Sequence, residues 1–508
     1  MNKHYYITTP IYYINDVPHI GHAYTTIAAD IMARYKRICG YDVFFLTGTD
    51  EHGQKVEKAA EQLGISPKEL ADRTVDRFSD LWKTLNISNT GFIRTTEERH
   101  RKVVQYIFQK VYENGDIYLS HYEDWYCVPC ETYFTETQLK DGTCPDCLRP
   151  TEKLKEESYF FRLSKYEERL LKHLEDHKDF IMPGVRYNEV ASFLKGGLRD
   201  LSVSRTSFNW GIPVPMNINH IVYVWFDALA NYITGIGFLD DVEQFKAFWP
   251  CDAHLVGKDI LRFHTVYWPS FLMSLDIEPP KHVFAHGWWT IEGHKMSKSL
   301  GNVIDPNEVV KTYGVDEFRF FLFREVPFGL DGDFSKHALV NRINGDLAND
   351  FGNLASRSVT MIGKFLKGKI ERPEKKAGMD EYVEENVKRL IDDYQKEMEV
   401  FAYHKALQSG FEIISILNKY IDSEAPWKLA KENDVRIKTV LYNIWNSLRI
   451  VAMLLYPFMP TKSEAIWNAL GIGKPLEKVL FENEKVFYFT DDLGTIDKIK
   501  PIFPRIEE

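Results

Sequence analysis

Residues 4–13 (HYYITTPIYY) are β-branched and aromatic, which reads as a strand. Pro18 breaks the chain, and from Ile20 to Cys39 the apolar positions Ile20, Ala23, Ile27, Ile31, Met32 and Tyr35 recur at helical spacing. Gly40 closes that helix, and Asp42 to Leu46 reads as a second strand. Strand, helix, strand in this order opens a parallel sheet, since a helix is the usual crossover between parallel strands. Such sheets take their ligands beyond the carboxyl ends of the strands. The turn carries neither G-x-G-x-x-G nor G-x-x-x-x-G-K-[ST], so neither a dinucleotide nor a P-loop site is indicated.

What stands at the turn is His19-Ile20-Gly21-His22. Two imidazoles at a helix N-terminus can donate to phosphate oxygens, and the free backbone N–H groups and the helix dipole favour the same anion. Gly21, with no side chain, leaves room for a nucleotide base to approach the backbone. A second phosphate-seeking segment lies far downstream: His294-Lys295-Met296-Ser297-Lys298-Ser299-Leu300-Gly301-Asn302. Its lysines can close over a triphosphate and neutralise developing charge. Either segment alone also fits a solvated surface turn; the two in one chain point to a nucleotide site.

At 508 residues and 59.3 kDa the chain predicts roughly two to four domains. With 14 % aromatic residues, disorder as the main state is excluded. The most apolar stretch, Ile450 to Pro460, is too short to span a bilayer, so no membrane partner is expected. Met1 to Pro10 resembles neither a signal peptide nor a transit segment, and cytoplasmic residence is the expectation. The net charge of −10 argues weakly against a nucleic-acid partner.

Cys127-x-x-Cys130 and Cys144-x-x-Cys147 are spaced as two metal-binding turns. Four thiolates leave no open position for a catalytic water, so the pattern predicts one structural Zn²⁺ per chain; four reduced thiols or two disulfides are the alternatives. Cys39 and Cys251 lack such spacing and read as buried apolar residues.

The pair His19–His22 and Lys295–Ser299 resembles the two signatures of class I aminoacyl-tRNA synthetases. The blocks PIYYINDVPHIGH, FLTGTDEHG, WGIPVP, VWFDALANY, GKDILRFH, HGWWTIEGHKMSKSLGN, NDFGNLASR and EAPWKLAK, running from about residue 10 to 431, resemble the methionyl-tRNA synthetase family. The resemblance implies an α/β protein: a Rossmann-type parallel-sheet catalytic domain with a zinc-knuckle insertion, then an all-α helical-bundle anticodon-binding domain. Its parts would be residues 1–117 and 216–290 for the two catalytic halves, 118–215 for the insertion, 291–350 for the KMSKS loop and stem-contact region, and 351–508 for the bundle. It implies methionine activation by ATP with Mg²⁺, and transfer to the terminal ribose of tRNA(Met), initiator included. In that scheme His19, His22, Lys295 and Lys298 are catalytic, and Gly21, Gly257, Asp259, Ser297 and Ser299 bind ATP. The methionine pocket would draw on Ile11, Tyr13, Asp50, Trp225, Leu229, Tyr232, Ile260, His264 and Trp268, a wall suited to a thioether. Asp50, just past the second strand, would pair with the α-ammonium, whereas Trp288 and Trp289 read as packing. Cysteinyl-tRNA synthetase and a catalytically idle RNA-binding relative are the rival readings; a closed four-cysteine knuckle and intact phosphate signatures count against them. One knuckle is expected, where some methionyl enzymes carry two.

After about Asp350 the pattern turns helical. Val383, Val387, Leu390, Ile391 and Tyr394 recur at helical spacing, and long helices are expected over 403–419 and 436–456, with breaks at Pro426 and Pro457. An antiparallel bundle is the natural packing. By resemblance Asn353, Arg357 and Trp427 read the CAU anticodon; an Asn and an Arg suit base edges and an indole stacks an unstacked base. Residues 351–508 carry about zero net charge, with Arg357, Lys364, Lys367 and Lys369 close together and no acid from Phe351 to Ile370. The acidic total therefore does not exclude a tRNA partner. With no further C-terminal tRNA-binding domain in the sequence, a monomer is expected.

Overall fold

The computed structural model describes residues 3–14, 18–129, 132–134, 136–145, 147–291, 293–295, 303–491, 493–496 and 499–507. Six parallel strands form the central sheet, in the order Gly91–Arg94, Tyr41–Asp50, Lys3–Tyr13, Ala253–Gly257, Val283–His286, Ile181–Met182. The expected opening is present: strand Lys3–Tyr13, helix Ile20–Ile38, strand Tyr41–Asp50. The second strand runs past Leu46, because Gly48 to Asp50 still pair with Ile11 to Tyr13 after a register shift. Asp50 is therefore the last residue of the strand rather than a loop residue. Between Lys3–Tyr13 and Ala253–Gly257 the strand order reverses direction, which is where such sheets open a crevice.

Residues 118–215 are not wholly separate from this sheet, since Ile181–Met182 forms its edge strand. The rest of that segment is built on a long antiparallel pair, Ile117–Cys127 with Glu152–Phe161, whose far end carries the cysteines. A hairpin of Trp289–Ile291 and His294–Lys295 pairs in parallel with Gly332–Phe334.

Helical segments Lys336–Arg342, Ile343–Gly352 and Asn353–Phe365 follow one another without a break across residue 351. Helices Gly378–Glu399, Tyr403–Glu424, Arg436–Leu455 and Pro460–Ala469 then pack as successive neighbours. One hydrophobic core runs from the first strand through helix Ile20–Ile38 into these helices. Nearly every residue of Ile20–Ile38 is buried, so this helix is sandwiched between sheet and bundle rather than amphipathic. Its Asp30 is fully buried between Arg34 (2.8 Å) and Arg319 (2.7 Å), and accepts from Ser88 N and Oγ at 2.7 and 2.6 Å. Burial opposes ionisation, but the two guanidinium groups outweigh it and hold the carboxyl well below the usual range. Arg319 also donates to the backbone oxygens of Leu85, Pro457 and Phe458. Lys36–Glu399 (2.6 Å) and Tyr403 Oη donating to Ala28 O (2.8 Å) add two more ties between the helix and the bundle.

Candidate active site

At the crevice a cavity of about 920 Å³ gathers most of the residues singled out in the sequence. Its size is in the upper range for ligand pockets. Of the nucleotide-side residues it is lined by His19, Gly21, His22, Gly257 and Asp259, and of the amino-acid side by Ile11, Tyr13, Asp50, Trp225, Leu229, Tyr232, Ile260 and His264.

The two histidines cap the helix. His19 Nδ1 accepts from Gly21 N and His22 Nδ1 accepts from His19 N, each at 3.1 Å, with the rings 3.9 Å apart. Both Nδ1 atoms being acceptors, each neutral ring carries its proton on Nε2. Burial, and then His19, push the His22 imidazole well below its ordinary pKa. A Cβ on Gly21 would lie 2.9 Å from His19 Cε1. The space left by the missing side chain is thus taken by the His19 ring, a tighter reason for glycine than the approach of a base. The helix has no acidic residue in its first turn to compete for the dipole.

On the amino-acid side, Tyr232 Oη donates to His264 Nε2 at 2.7 Å, because His264 Nδ1–H is given to Ile260 O at 2.9 Å. Burial lowers the His264 pKa to about 4, so the ring is neutral at pH 7. Trp225 stacks on Phe263, centroids 3.8 Å apart and planes 6° from parallel. Phe263–Tyr267 is a π-helical turn, which swings His264 into the cavity wall. Trp268 does not line the cavity. It is 1 % exposed and lies behind Tyr232, ring to ring at 6.1 Å, so it supports the wall instead of forming it.

Asp50 reaches the cavity while 4 % exposed. Its neighbours do not. Glu51 is fully buried against Arg94 (2.7 Å), and His52 donates to Asp227 Oδ2 at 2.7 Å. Asp227 takes a second bond, from His100 at 2.7 Å. Burial disfavours its charge, but the two imidazoles outweigh that and lower its pKa. This carboxylate ties the strand end bearing Asp50 to the helix Val224–Leu229 that bears Trp225 and Leu229.

Lys295 follows Trp289–Ile291 in a hairpin, Thr290 opposite Lys295. Ser297, Lys298 and Ser299 lie outside the described residues. Beyond them Val303 lines the cavity, and Ile304 O accepts from Ile20 N at 3.3 Å, which holds that stretch beside the capped helix. Trp288 and Trp289, read as packing, both line the cavity. Trp289 is 3 % exposed and serves the core as well, but Trp288 is an addition to the site. No motif spacing separated it from Trp268.

Cys127, Cys144 and Cys147 hold their Sγ atoms within 4.8 Å of one another and could together bind a metal ion. Cys130 lies outside the described residues. Pro129, Pro145 and Cys147 also face the cavity, so the knuckle closes one side of its mouth. Cys251 is buried, as expected, and Cys39 is partly so.

The family model described as "tRNA synthetases class I (M)" matches residues 5–154 and 149–359, and that of the "Anticodon-binding domain of tRNA ligase" matches 380–494. A methionine–tRNA ligase of Caldanaerobacter subterraneus is 52 % identical over all of this chain and 80 % of its own length; that of Thermotoga maritima is 48 % identical over 99 % and 80 %. A solved structure of Mycobacterium tuberculosis methionyl-tRNA synthetase with methionyl-adenylate superposes with a TM-score of 0.95 at 44 % identity, covering 99 % of this chain and 100 % of that one. The chain belongs to the class I methionyl-tRNA synthetase family. The α/β catalytic core followed by a helical bundle, inferred from the motifs, is the architecture of this family and of the structure described above.

In this synthetase the proposed anticodon readers share one end of the bundle. Asn353 begins helix Asn353–Phe365 and is exposed, and Arg357 is ion-paired with Asp422 at 2.8 Å. Asp422 lies near the end of Tyr403–Glu424. After Ala425 in a left-handed turn (φ 42°), Trp427 follows in the short helix Pro426–Glu432, 45 % exposed. That helix packs against Asn353–Phe365. An indole left this open on a helix start is available for stacking.

Proposed function

We infer that the chain activates L-methionine with ATP and charges tRNA(Met), initiator included, for protein synthesis. The observation that carries this reading is the one cavity in which a histidine-capped helix end, a buried carboxylate and an aromatic wall meet. An oxygen of the methionine carboxylate attacks the α-phosphorus; the bond to the β-phosphate oxygen breaks, and pyrophosphate leaves. No proton moves in this step, so the protein's task is positioning and charge stabilisation. His19 and His22 present Nε2–H to the phosphates. Lys295, Lys298, Ser297 and Ser299 hold the leaving pyrophosphate, whose Mg²⁺ arrives with ATP. Gly21 and Gly257 lie on the nucleotide side of the cavity, where their missing side chains leave room for the His19 ring and the Asp259 carboxylate, and Asp259 accepts from the ribose. Asp50 pairs with the α-ammonium, and Ile11, Tyr13, Trp225, Leu229, Tyr232, Ile260 and His264 enclose the thioether, backed by Trp268. The terminal ribose hydroxyl of the tRNA then attacks the carbonyl carbon of the adenylate; the bond from that carbon to the phosphate oxygen breaks, and AMP departs with the hydroxyl proton. Asn353, Arg357 and Trp427 select the tRNA.

Cys127, Cys130, Cys144 and Cys147 would hold one structural Zn²⁺. Zn–S bonds of about 2.3 Å place tetrahedral sulfurs roughly 3.8 Å apart, against about 2.0 Å for a disulfide. The Cys127–Cys147 separation of 3.5 Å supports the first. The metal supplies folding energy to the knuckle, with no open position for chemistry. We further read the protein as a cytoplasmic monomer; among the described residues no helix is long and apolar enough to cross a membrane. The segments 1–117, 118–215, 216–290, 291–350 and 351–508 serve as its working divisions. ATP–pyrophosphate exchange tests the activation step: exchange that depends on L-methionine is expected, and its absence with active, folded protein overturns the reading.

A further inference from the structure

Trp288 lines the cavity beside the residues assigned to the nucleotide, and it is held from three directions. Its indole Nε1–H donates to Asp259 Oδ1 at 3.0 Å. Its backbone N–H donates to Asp331 Oδ1 at 2.8 Å. Lys258, ion-paired with Asp331 at 2.6 Å, sits over the ring, 4.2 Å from the centroid. The preceding Gly287 leaves no slack, since a Cβ there would lie 2.3 Å from the backbone carbon of Leu330. The indole N–H therefore meets Asp259 from a fixed place.

Asp259 itself is exposed at the middle of the turn Lys258–Ile260, where a carboxylate would otherwise sample several rotamers. Two features pin it. A Cβ on Gly257 would come within 2.6 Å of Oδ1, so glycine there makes space for this one carboxylate orientation. The indole N–H then occupies Oδ1, and among the described residues Oδ2 accepts no hydrogen bond. A carboxylate with one oxygen engaged and the other open is pre-organised to accept from a hydroxyl, and ordering it beforehand removes an entropic penalty from binding.

We propose that Trp288 is a positioning residue for ATP: its N–H turns the Asp259 carboxylate so that the second oxygen meets the ribose hydroxyls, and this sets the preference for ribonucleoside over deoxyribonucleoside triphosphates. The proposal rests on the reading of Asp259 as a ribose contact. A site built to bond a hydroxyl rejects the analogue lacking it, because its acceptor is then left without a partner. Trp288 acts on the nucleotide only through Asp259, so its loss weakens ribose discrimination and leaves the methionine side alone.

Pyrophosphate exchange with ATP, 2′-deoxy-ATP and 3′-deoxy-ATP, on the full chain and its Trp288→Phe and Asp259→Asn variants, tests this. Phe keeps an aromatic face under Lys258 while removing the N–H and part of the indole. Trp288→Phe is expected to raise the ATP KM by about fivefold to tenfold, the size of an ordinary hydrogen bond, since Asp259 keeps its own contact with the ribose. It should lower the ratio of kcat/KM for ATP over at least one deoxy analogue by a similar factor, with kcat and the methionine KM within about twofold of wild type. Asp259→Asn should do the same more strongly. If Asp259→Asn loses discrimination and Trp288→Phe keeps it, the Trp288 proposal is overturned while Asp259 stands. If neither variant changes discrimination, the Asp259 reading fails and the proposal with it. A methionine KM that rises in step with that of ATP also overturns it, as the mark of a merely structural ring.

Discussion

Replacing Tyr232 by Phe isolates one hydrogen bond in the methionine wall. The hydroxyl donates to His264 Nε2 at 2.7 Å, and the other ring nitrogen is committed to Ile260 O at 2.9 Å. The ring is neutral, so Nε2 can only accept. Phe removes the donor with little change in volume, and Tyr6 Oη still holds the backbone of residue 232 through its 2.6 Å bond to the carbonyl. In the free enzyme, water entering the cavity can serve Nε2. When the thioether side chain fills the pocket that water leaves, and a buried acceptor is stranded at about 1–3 kcal/mol. At about 1.4 kcal/mol per tenfold, the methionine KM should rise about fivefold to a hundredfold, with the ATP KM unchanged. Pyrophosphate exchange with each substrate varied in turn gives both constants. Quenching of the variant's tryptophan fluorescence, to which Trp225 in the wall contributes, gives methionine binding directly. A methionine KM within twofold of wild type, or equal increases for both substrates, would refute the reasoning.

Asp50→Ala should raise the methionine KM by about a hundredfold or more, since it removes one partner of an ion pair formed in a desolvated site; an unchanged KM denies the residue its ammonium role. Trp427→Ala should cut charging of tRNA about tenfold or more while pyrophosphate exchange is spared, by loss of base stacking. Loss of both activities would instead mark the indole as a folding element. Elemental analysis of protein purified without chelator should return one zinc per chain, and Cys144→Ala should lower that content and the thermal stability of the knuckle together. Zinc-free protein with full activity and unchanged stability would contradict the metal assignment.

The first crossover and its histidine turn were legible because their information is local. Pro18, the apolar spacing from Ile20 and the closing Gly40 lie within one continuous stretch, and the helix begins where the pattern says. The bundle was legible for the same reason, although Tyr403–Glu424 extends past the expected residue 419. What the pattern could not carry was burial decided by distant partners. Glu51 and His52, beside Asp50, look like site residues in TDEHG, but Arg94 and Asp227 draw both into the interior. Trp268 and Trp288 are alike as letters. The π-helical turn before Trp268 faces it into the core, and the strand end at His286 delivers Trp288 to the cavity. Asp30 and Arg319, far apart in sequence, join catalytic helix to bundle, and no local motif announces a pair of that kind.

The most direct test of the central claim is charging itself. Each of the twenty amino acids, supplied with ATP and Mg²⁺, is offered to transcripts bearing a CAU anticodon and to the same transcripts with the anticodon changed. Methionine alone should be esterified to the CAU transcripts at a high rate, and the altered anticodon should lose most of it. Charging with cysteine or another amino acid in methionine's place, or methionine charging indifferent to the anticodon, would contradict the account.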